Sequence, residues 1–421
     1  MKTIKKPAKS LMIAVLALGM VGGMTSCKKE GCTDSTATNY DADAKDDDGS
    51  CTYASKSYIE KLNEGSTQTL NADITANVTL PKTAYTLQGG IHVKEGATLT
   101  IPAGCTITAD PNETVAYLLV ERGAKIMAEG TSDAPIVFTS GKSSPERGDW
   151  GGIIICGKAP INNGSEAEAE VGGVKYGGTD ASDNSGVMAY VRVEYTGNAI
   201  NAEKEHNGFT FNGVGSGTTL HHLQAYMGGD DGFEWFGGTV NTEYLVSTGS
   251  KDDSFDWTFG WTGSNKYWIA EQASDAGDRG IEADNQEDNN AAAPFSNPTL
   301  ENLTLIGNGR TKGSGDAIDG IKWRRGTKCT LKNALIKNFS GYAIEVEDDQ
   351  TVNNVMDGSV NVTTVQIENC VEGNFKFKMS KDANGDRGPL PNGFDENVWD
   401  SQVGTASGAG TGWTDGWTKS L

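Results

Sequence analysis

The stretch GDDGFEWFGG (residues 229–238) is echoed by KDDSFDWTFG (residues 251–260), 22 residues further on. Each carries two aspartates on a turn, Asp230 and Asp231 in the first, Asp252 and Asp253 in the second. Each then places an acid between apolar residues, Glu234 and Asp256. Short oxygen ligands on successive bends can converge on a hard cation such as calcium. A pair of carboxylates, one kept protonated, can instead hydrolyse a glycosidic bond. A lyase would need a base such as Arg279 or Lys322 beside a calcium-bridged uronate. A third account needs no ligand at all, because Asp-Gly and Asp-Asp cap β-turns. Glu282 extends the acidic series, and Trp235, Trp257 and Trp261 are candidates for stacking on a sugar face.

The spacing indicates what must position these groups. GFEW (232–235), SFDW (254–257), GIEA (280–283), GIKW (320–323) and AIEV (343–346) recur at intervals of 22, 26, 40 and 23 residues. Upstream, VKEGATLTIPAG (93–104) matches VERGAKIMAEGT (120–131) at a displacement of 27. Units this short cannot close a core alone and must stack on their neighbours. Three short strands per unit, with polar turns, predict an all-β chain folded as a right-handed parallel β-helix. Phe233, Phe255, Ile281, Ile321 and Ile344 then form an internal ladder, with Trp235, Trp257, Trp323 and Val346 on the same side. Phe236, Phe259 and Trp261 have two readings, exposure as a ligand surface or packing beneath a long loop at 282–298. A propeller or sandwich would need blades or long hairpins that the spacing does not supply.

Glu234, Asp256, Glu282, Lys322 and Glu345 stack outward in this fold. Like charges about 4.8 Å apart repel by about 1 kcal/mol in water and by more near a protein surface. The stripe therefore calls for counter-charge, from Arg279, Lys322, Arg324 and Arg325 or from calcium. Histidines offer little: His221 and His222 are neighbours on a strand and should face opposite ways. No phosphate loop, serine elbow or dinucleotide fingerprint occurs, so no organic cofactor is expected.

Residues 1–26 carry four lysines, no acids and a short apolar run, the layout of a secretory signal. GMTSC resembles the lipobox of bacterial lipoproteins, which implies lipid attachment at Cys27. That places the chain in the cell envelope as an outer-membrane lipoprotein, touching the membrane through its anchor only. The formal charge of −21 becomes −25 without the signal, which disfavours nucleic acid and attracts cations. Between Cys32 and Cys51, the expected disulfide, lies an Asp-rich loop too polar to bury a core. Asp41, Asp43, Asp46 and Asp48 are candidate calcium ligands there. The segment resembles a cysteine-bounded repeat of exported Bacteroidota proteins. The remaining cysteines, Cys105, Cys156, Cys329 and Cys370, are left as bridges or thiols.

GDWGGIII (148–155), DDGFEWFGGTV, DDSFDWTFGW, DRGIEADN and SNPTLENLTLIG together resemble a family of large exported or lipid-anchored β-helix proteins of Bacteroidota and some Proteobacteria. Some of these carry the label "multidrug transporter", which sits badly with a chain lacking a membrane span. The resemblance implies the fold and little about activity. The expected organisation is a signal (1–26), an anchor and acidic module (27–53), a linker (54–73), a β-helix (74–375) and a C-terminal cap (376–421). The favoured function is a non-catalytic scaffold for a glycan or surface protein, calcium-dependent. The alternative is a polysaccharide lyase or glycoside hydrolase acting through the stripe.

Overall fold

A computed structural model describes residues 28–113, 115–200 and 204–421, so the signal segment and Cys27 lie outside the described residues. The chain forms two compact units, divided between Lys56 and Ser57.

In the first unit Cys32 and Cys51 form the expected disulfide, and Glu30–Gly31 pairs in parallel with Asp46–Asp47. Its acids do not gather. Asp41 and Asp43 face Lys29, Asp46 faces Lys28, and Asp48 accepts a hydrogen bond from the Ser50 amide at 2.9 Å. The four expected calcium ligands thus meet neighbouring lysines and a turn amide.

The second unit begins with helix α1 (Tyr58–Asn63), started by a capping box between Ser57 and Glu60. Its Leu62 is buried in the main core. The segment expected to be a linker therefore carries the first packed element of this unit. The body is a parallel β-helix: among the described residues, its two large sheets are built entirely from parallel pairs. In the early coils Thr98–Ile101 pairs with Lys125–Glu129, joining Leu99 to Ile126 at the displacement of 27 read from the sequence. From Gly186–Glu194 onward two strands of each coil fuse. The first half of that strand continues Lys125–Glu129 and the second half continues Ile136–Ser140, with a bend at Tyr190 (φ 51°).

Lower coils repeat the bend at His222, Tyr244, Tyr267, Asn302 and Asn333. Left-handed backbone costs a non-glycine residue about 1–2 kcal/mol, and here stacking offsets it. The ring centroids of Tyr190 and His222, and of His222 and Tyr244, lie 4.3 Å apart; those of Tyr244 and Tyr267 lie 4.7 Å apart. Asn333 then donates to Asn302 at 2.6 Å. The bend also overturns the expected placement of the histidine pair. Strand alternation breaks at His222, so the Nδ1 atoms of His221 and His222 approach to 2.9 Å.

The other sheet carries the motif series. Strands β1 (Phe209–Val214), β2 (Phe233–Gly238), β3 (Phe255–Thr258), β4 (Ile281–Ala283), β5 (Ile321–Trp323) and β6 (Tyr342–Glu347) pair in that order. Phe209, Phe233, Phe255, Ile281, Ile321 and Ile344 are in register, so the ladder read from the intervals holds at each rung. Trp235, Trp257 and Trp261 have no exposed surface. Trp235 stacks on Trp261 at 4.5 Å and Trp268 at 5.1 Å, and the Trp261 indole donates to the Val240 carbonyl. Alternation points the first two into the solenoid, and the left-handed turn at Phe259 and Gly260 folds Trp261 in after them. They are core residues, and the expectation that they line a ligand surface is withdrawn.

Phe394 and Trp399 pack on Phe377, Phe375 and Trp323 to close the final coil. The last segment, GTGWTDGWTKSL, does not cap that end as expected. The chain runs back along the solenoid, meeting Val365, Asn333 and Thr304 in turn. Trp413 then packs against Tyr244 and Trp417 against Tyr190, while Lys419 pairs with Gln224 and Glu194. This strap covers the bend ladder.

Candidate functional site: a three-column carboxylate ladder

Strand pairing aligns the outward acids as the sequence predicts. Thr210, Glu234, Asp256, Glu282, Lys322 and Glu345 form one column down β1–β6. Three residues earlier in each coil stand Asn207, Asp231, Asp253, Arg279 and Asp319, and one residue before these His206, Asp230, Asp252, Asp278 and Ile318. The middle column ties the coils together. Asp231 accepts the Asp253 amide at 2.8 Å, Asp253 the Arg279 amide at 2.5 Å, and Asp319 the Tyr342 amide at 2.8 Å. Turn chemistry therefore accounts for one oxygen of each of these aspartates.

The lower ladder supplies its own counter-charge. Arg279 pairs with Asp278 at 2.9 Å and with Glu282 at 2.6 Å. Arg324 reaches Glu282 and Asp284, Arg325 reaches Asp284 at 2.6 Å, and Lys322 lies between Glu345 (3.0 Å) and Glu347 (2.7 Å). All four cations named from the sequence are thus engaged. Above them, no ion pair to Asp230, Asp231, Glu234, Asp252, Asp253 or Asp256 occurs among the described residues. Oxygens of Asp231, Glu234 and Asp256 lie within 4.8 Å of one another, as do those of Asp253, Asp256 and Glu282. Two further triads, Asp230–Asp231–Asp252 and Asp252–Asp253–Asp278, meet the same limit.

Proton affinity follows from this crowding. Burial, then a hydrogen bond that the protonated Asp230 donates to Glu205, pushes Asp230 up to about 9. Burial holds Asp231, Glu234, Asp253 and Asp256 well above the usual carboxylate range, reinforced respectively by Asp230, Asp256, Glu282 and Glu282. Asp252 rises to about 6 through burial and Asp278, although its residue is exposed at the rim, where water screens part of the repulsion. His206, at the head of the first column, is lowered to about 4 by burial and so is neutral at physiological pH.

Two cavities flank the ladder. One, of about 310 Å³, is lined by Glu170, Glu234, Asp256, Asp284, Phe259 and Arg324 among others. The other, of about 360 Å³, is lined by Arg279, Lys312, Asp319, Lys322, Glu345 and Lys378 among others. The catalytic candidates are thus divided, with Glu234 and Asp256 in the first cavity and Arg279 and Lys322 in the second. Glycosidases hold their carboxyl groups about 5–5.5 Å or 6.5–9.5 Å apart with sugar between them. Glu234 and Asp256 stand on consecutive rungs with one oxygen of each within 4.8 Å of the other, short of the wider spacing that an inverting enzyme needs for a water. Arg279 and Lys322 make poor bases. Burial favours their neutral forms but is outweighed, by Asp253 and Glu282 for Arg279 and by Glu345 and Glu347 for Lys322, so both hold their protons more tightly than usual.

Sequence reasoning missed Glu170, Glu205, Asn207, Asp278 and Asp284. Asp278 was detectable, since it precedes Glu282 by the same four residues that separate Asp230 from Glu234 and Asp252 from Asp256. Asn207 belongs to a coil whose motif, GFTF, lacks an acid. Glu170 and Glu205 come from segments outside the repeat, which give no periodic signal.

Among families of known proteins, the pectate-lyase-like β-helix domain matches residues 72–419. No curated protein matches the chain.

Proposed function

The chain belongs to the pectate-lyase-like β-helix domain family, and from that premise we propose a non-catalytic binding scaffold of the cell envelope. Its ligand is a glycan or a surface protein, and calcium seated on the upper carboxylate ladder completes the binding face. Family membership supports a carbohydrate-related or binding role. The lipobox-like GMTSC supports anchoring at Cys27 in the outer membrane.

One observation carries the calcium reading: among the described residues Asp230, Asp231, Glu234, Asp252, Asp253 and Asp256 form no ion pair, and the nearest cations, Arg279 by Asp253 and Arg324 by Asp256, are already paired with Glu282 and Asp284. A Ca²⁺ ion takes six to eight oxygens at about 2.3–2.6 Å, so ligands across it stand about 5 Å apart. That is the span of each triad. Three carboxylates leave coordination positions for water or for sugar hydroxyls, and the adjoining cavity gives a sugar room to reach them.

A glycan array probed with and without chelator tests the proposal. Retention of specific glycans that chelator abolishes, with no new reducing or unsaturated ends, is the expected result. Release of such ends would establish catalysis instead, and chelator-insensitive binding would remove calcium from the reading.

A further inference from the structure

The three columns progress from coil to coil in a way that suggests how many ions the ladder takes. Translation by one coil converts Asp231–Glu234–Asp256 into Asp253–Asp256–Glu282, and both sets converge within 4.8 Å. One coil higher, the equivalent positions are Asn207, Thr210 and Glu234; one coil lower they are Arg279, Glu282 and Lys322. The middle column thus runs from neutral Asn207, through the two aspartates, to cationic Arg279. At the lower end Arg279 stands in the middle column and pairs with Glu282, so the chain itself supplies the charge there.

The upper end carries an independent sign of a ligand. Asn207 is only 4% exposed, and its Nδ2 donates to Glu234 and Thr210, which directs the side chain into the upper set. Its Oδ1 has no hydrogen-bond partner among the described residues. An unpaired buried carbonyl is costly, and an ion or its bound water beside Glu234 would relieve it.

We propose that the ladder is a two-ion array for hard divalent cations, with Asp256 as the shared ligand, bounded above by Asn207 and below by Arg279. The upper ion is held by Asp231, Glu234 and Asp256, and the lower by Asp253, Asp256 and Glu282. This proposal rests on the calcium reading above and sharpens it, because a single site and an array predict different stoichiometries. Asp231→Asn and Asp253→Asn are informative variants, since each keeps the Oδ1 that accepts the neighbouring coil's amide.

The experiment is calcium titration by calorimetry and equilibrium dialysis on the mature chain, with circular dichroism confirming that each variant is folded. Two ions per chain are expected for the wild type and one for each single variant. Asp256→Asn should weaken both steps by about tenfold or more. One ion per wild-type chain would overturn the array and leave the calcium reading standing; none would overturn both. Two ions that survive Asp231→Asn and Asp253→Asn would place the metal elsewhere and overturn the ligand assignment.

Discussion

Removing divalent cations while raising the pH should destabilise the β-helix, opposite to the behaviour of a protein held by surface ion pairs. Asp230 has a folded value of about 9 against an ordinary 3.8. Between those values the folded chain binds a proton that the unfolded chain has released, so stability falls as pH rises. At pH 7 about three units of that interval have been crossed, which at about 1.4 kcal/mol per unit costs about 4 kcal/mol. Asp319, buried and raised to about 6 by burial and Glu345, adds about 3 kcal/mol between pH 4 and 6. Against a total stability of about 5–15 kcal/mol these are large fractions. Glu347 does not confuse the window. Lys322 and Arg387 overcome its burial and hold it down at about 2, so its contribution is lost only as pH falls below about 4.5. The assay is thermal and urea unfolding from pH 4.5 to 8, in chelator and in calcium. In chelator the midpoint should fall by several degrees across the range. Calcium at about 100 times its Kd should restore about 3 kcal/mol per bound ion at pH 7 and less at pH 4.5, where protons occupy the ladder. Asp319→Asn, which keeps the Tyr342 hydrogen bond, should flatten the acid half of the curve with or without calcium. Chelated protein whose stability is flat or rising over this window would refute the reasoning.

Two further outcomes follow from packing. Trp235→Ala, removing a fully buried ring stacked on Trp261 and Trp268, should cost about 3–5 kcal/mol in urea unfolding and leave glycan retention by the folded protein intact. A loss of retention without a loss of stability would return Trp235 to the ligand surface. Deleting residues 411–421 removes contacts that tie the strap to coils some 190–225 positions earlier in sequence, such as Lys419 with Gln224 and Arg192 with the Trp417 carbonyl. In a solenoid whose coils otherwise touch only their neighbours, the truncated chain should unfold over a broader range with a lower m-value. An equally sharp transition would show that the strap adds no cooperativity.

Much of the fold was legible because a β-helix writes its geometry into intervals. Each rung repeats one apolar position, so 22, 26, 40 and 23 residues translate directly into Phe233–Phe255, Ile281, Ile321 and Ile344 in register. The alternation that placed the Glu234 column outward also placed Trp235 and Trp257 inward. Weighing aromatic crowding above that alternation made them ligand candidates. The bend at Tyr190 and His222 was hidden, since nothing in a tyrosine or histidine announces positive φ. What fixes it is the stack of rings in neighbouring coils, a contact between residues distant in sequence. The strap was hidden for the same reason: WTDGWTKS has no periodicity, and its partners lie in strands read as unrelated.

The site shows the same divide more sharply. Residue types located the acids and named the four cations, but could not say which acids the cations reach. That depends on one substitution in a column. In the third coil Arg279 replaces the aspartate found at 231 and 253, and with Arg324 and Lys322 it pairs the acids Glu282, Asp284 and Glu345. Had Arg279 been an aspartate, the stripe would run on uncompensated into Glu282. Had Asp253 been an arginine, the upper acids would be paired and the calcium reading would lose its ground. A solenoid can carry acids on successive rungs only where a cation lies between them or protons neutralise them. The fold meets that requirement with side chains in its lower coils and leaves it open in two consecutive coils, beside a cavity wide enough for a ligand. Turn capping uses one oxygen each of Asp231 and Asp253 and does not touch Glu234 or Asp256, so it cannot by itself account for the acids that repeat with them.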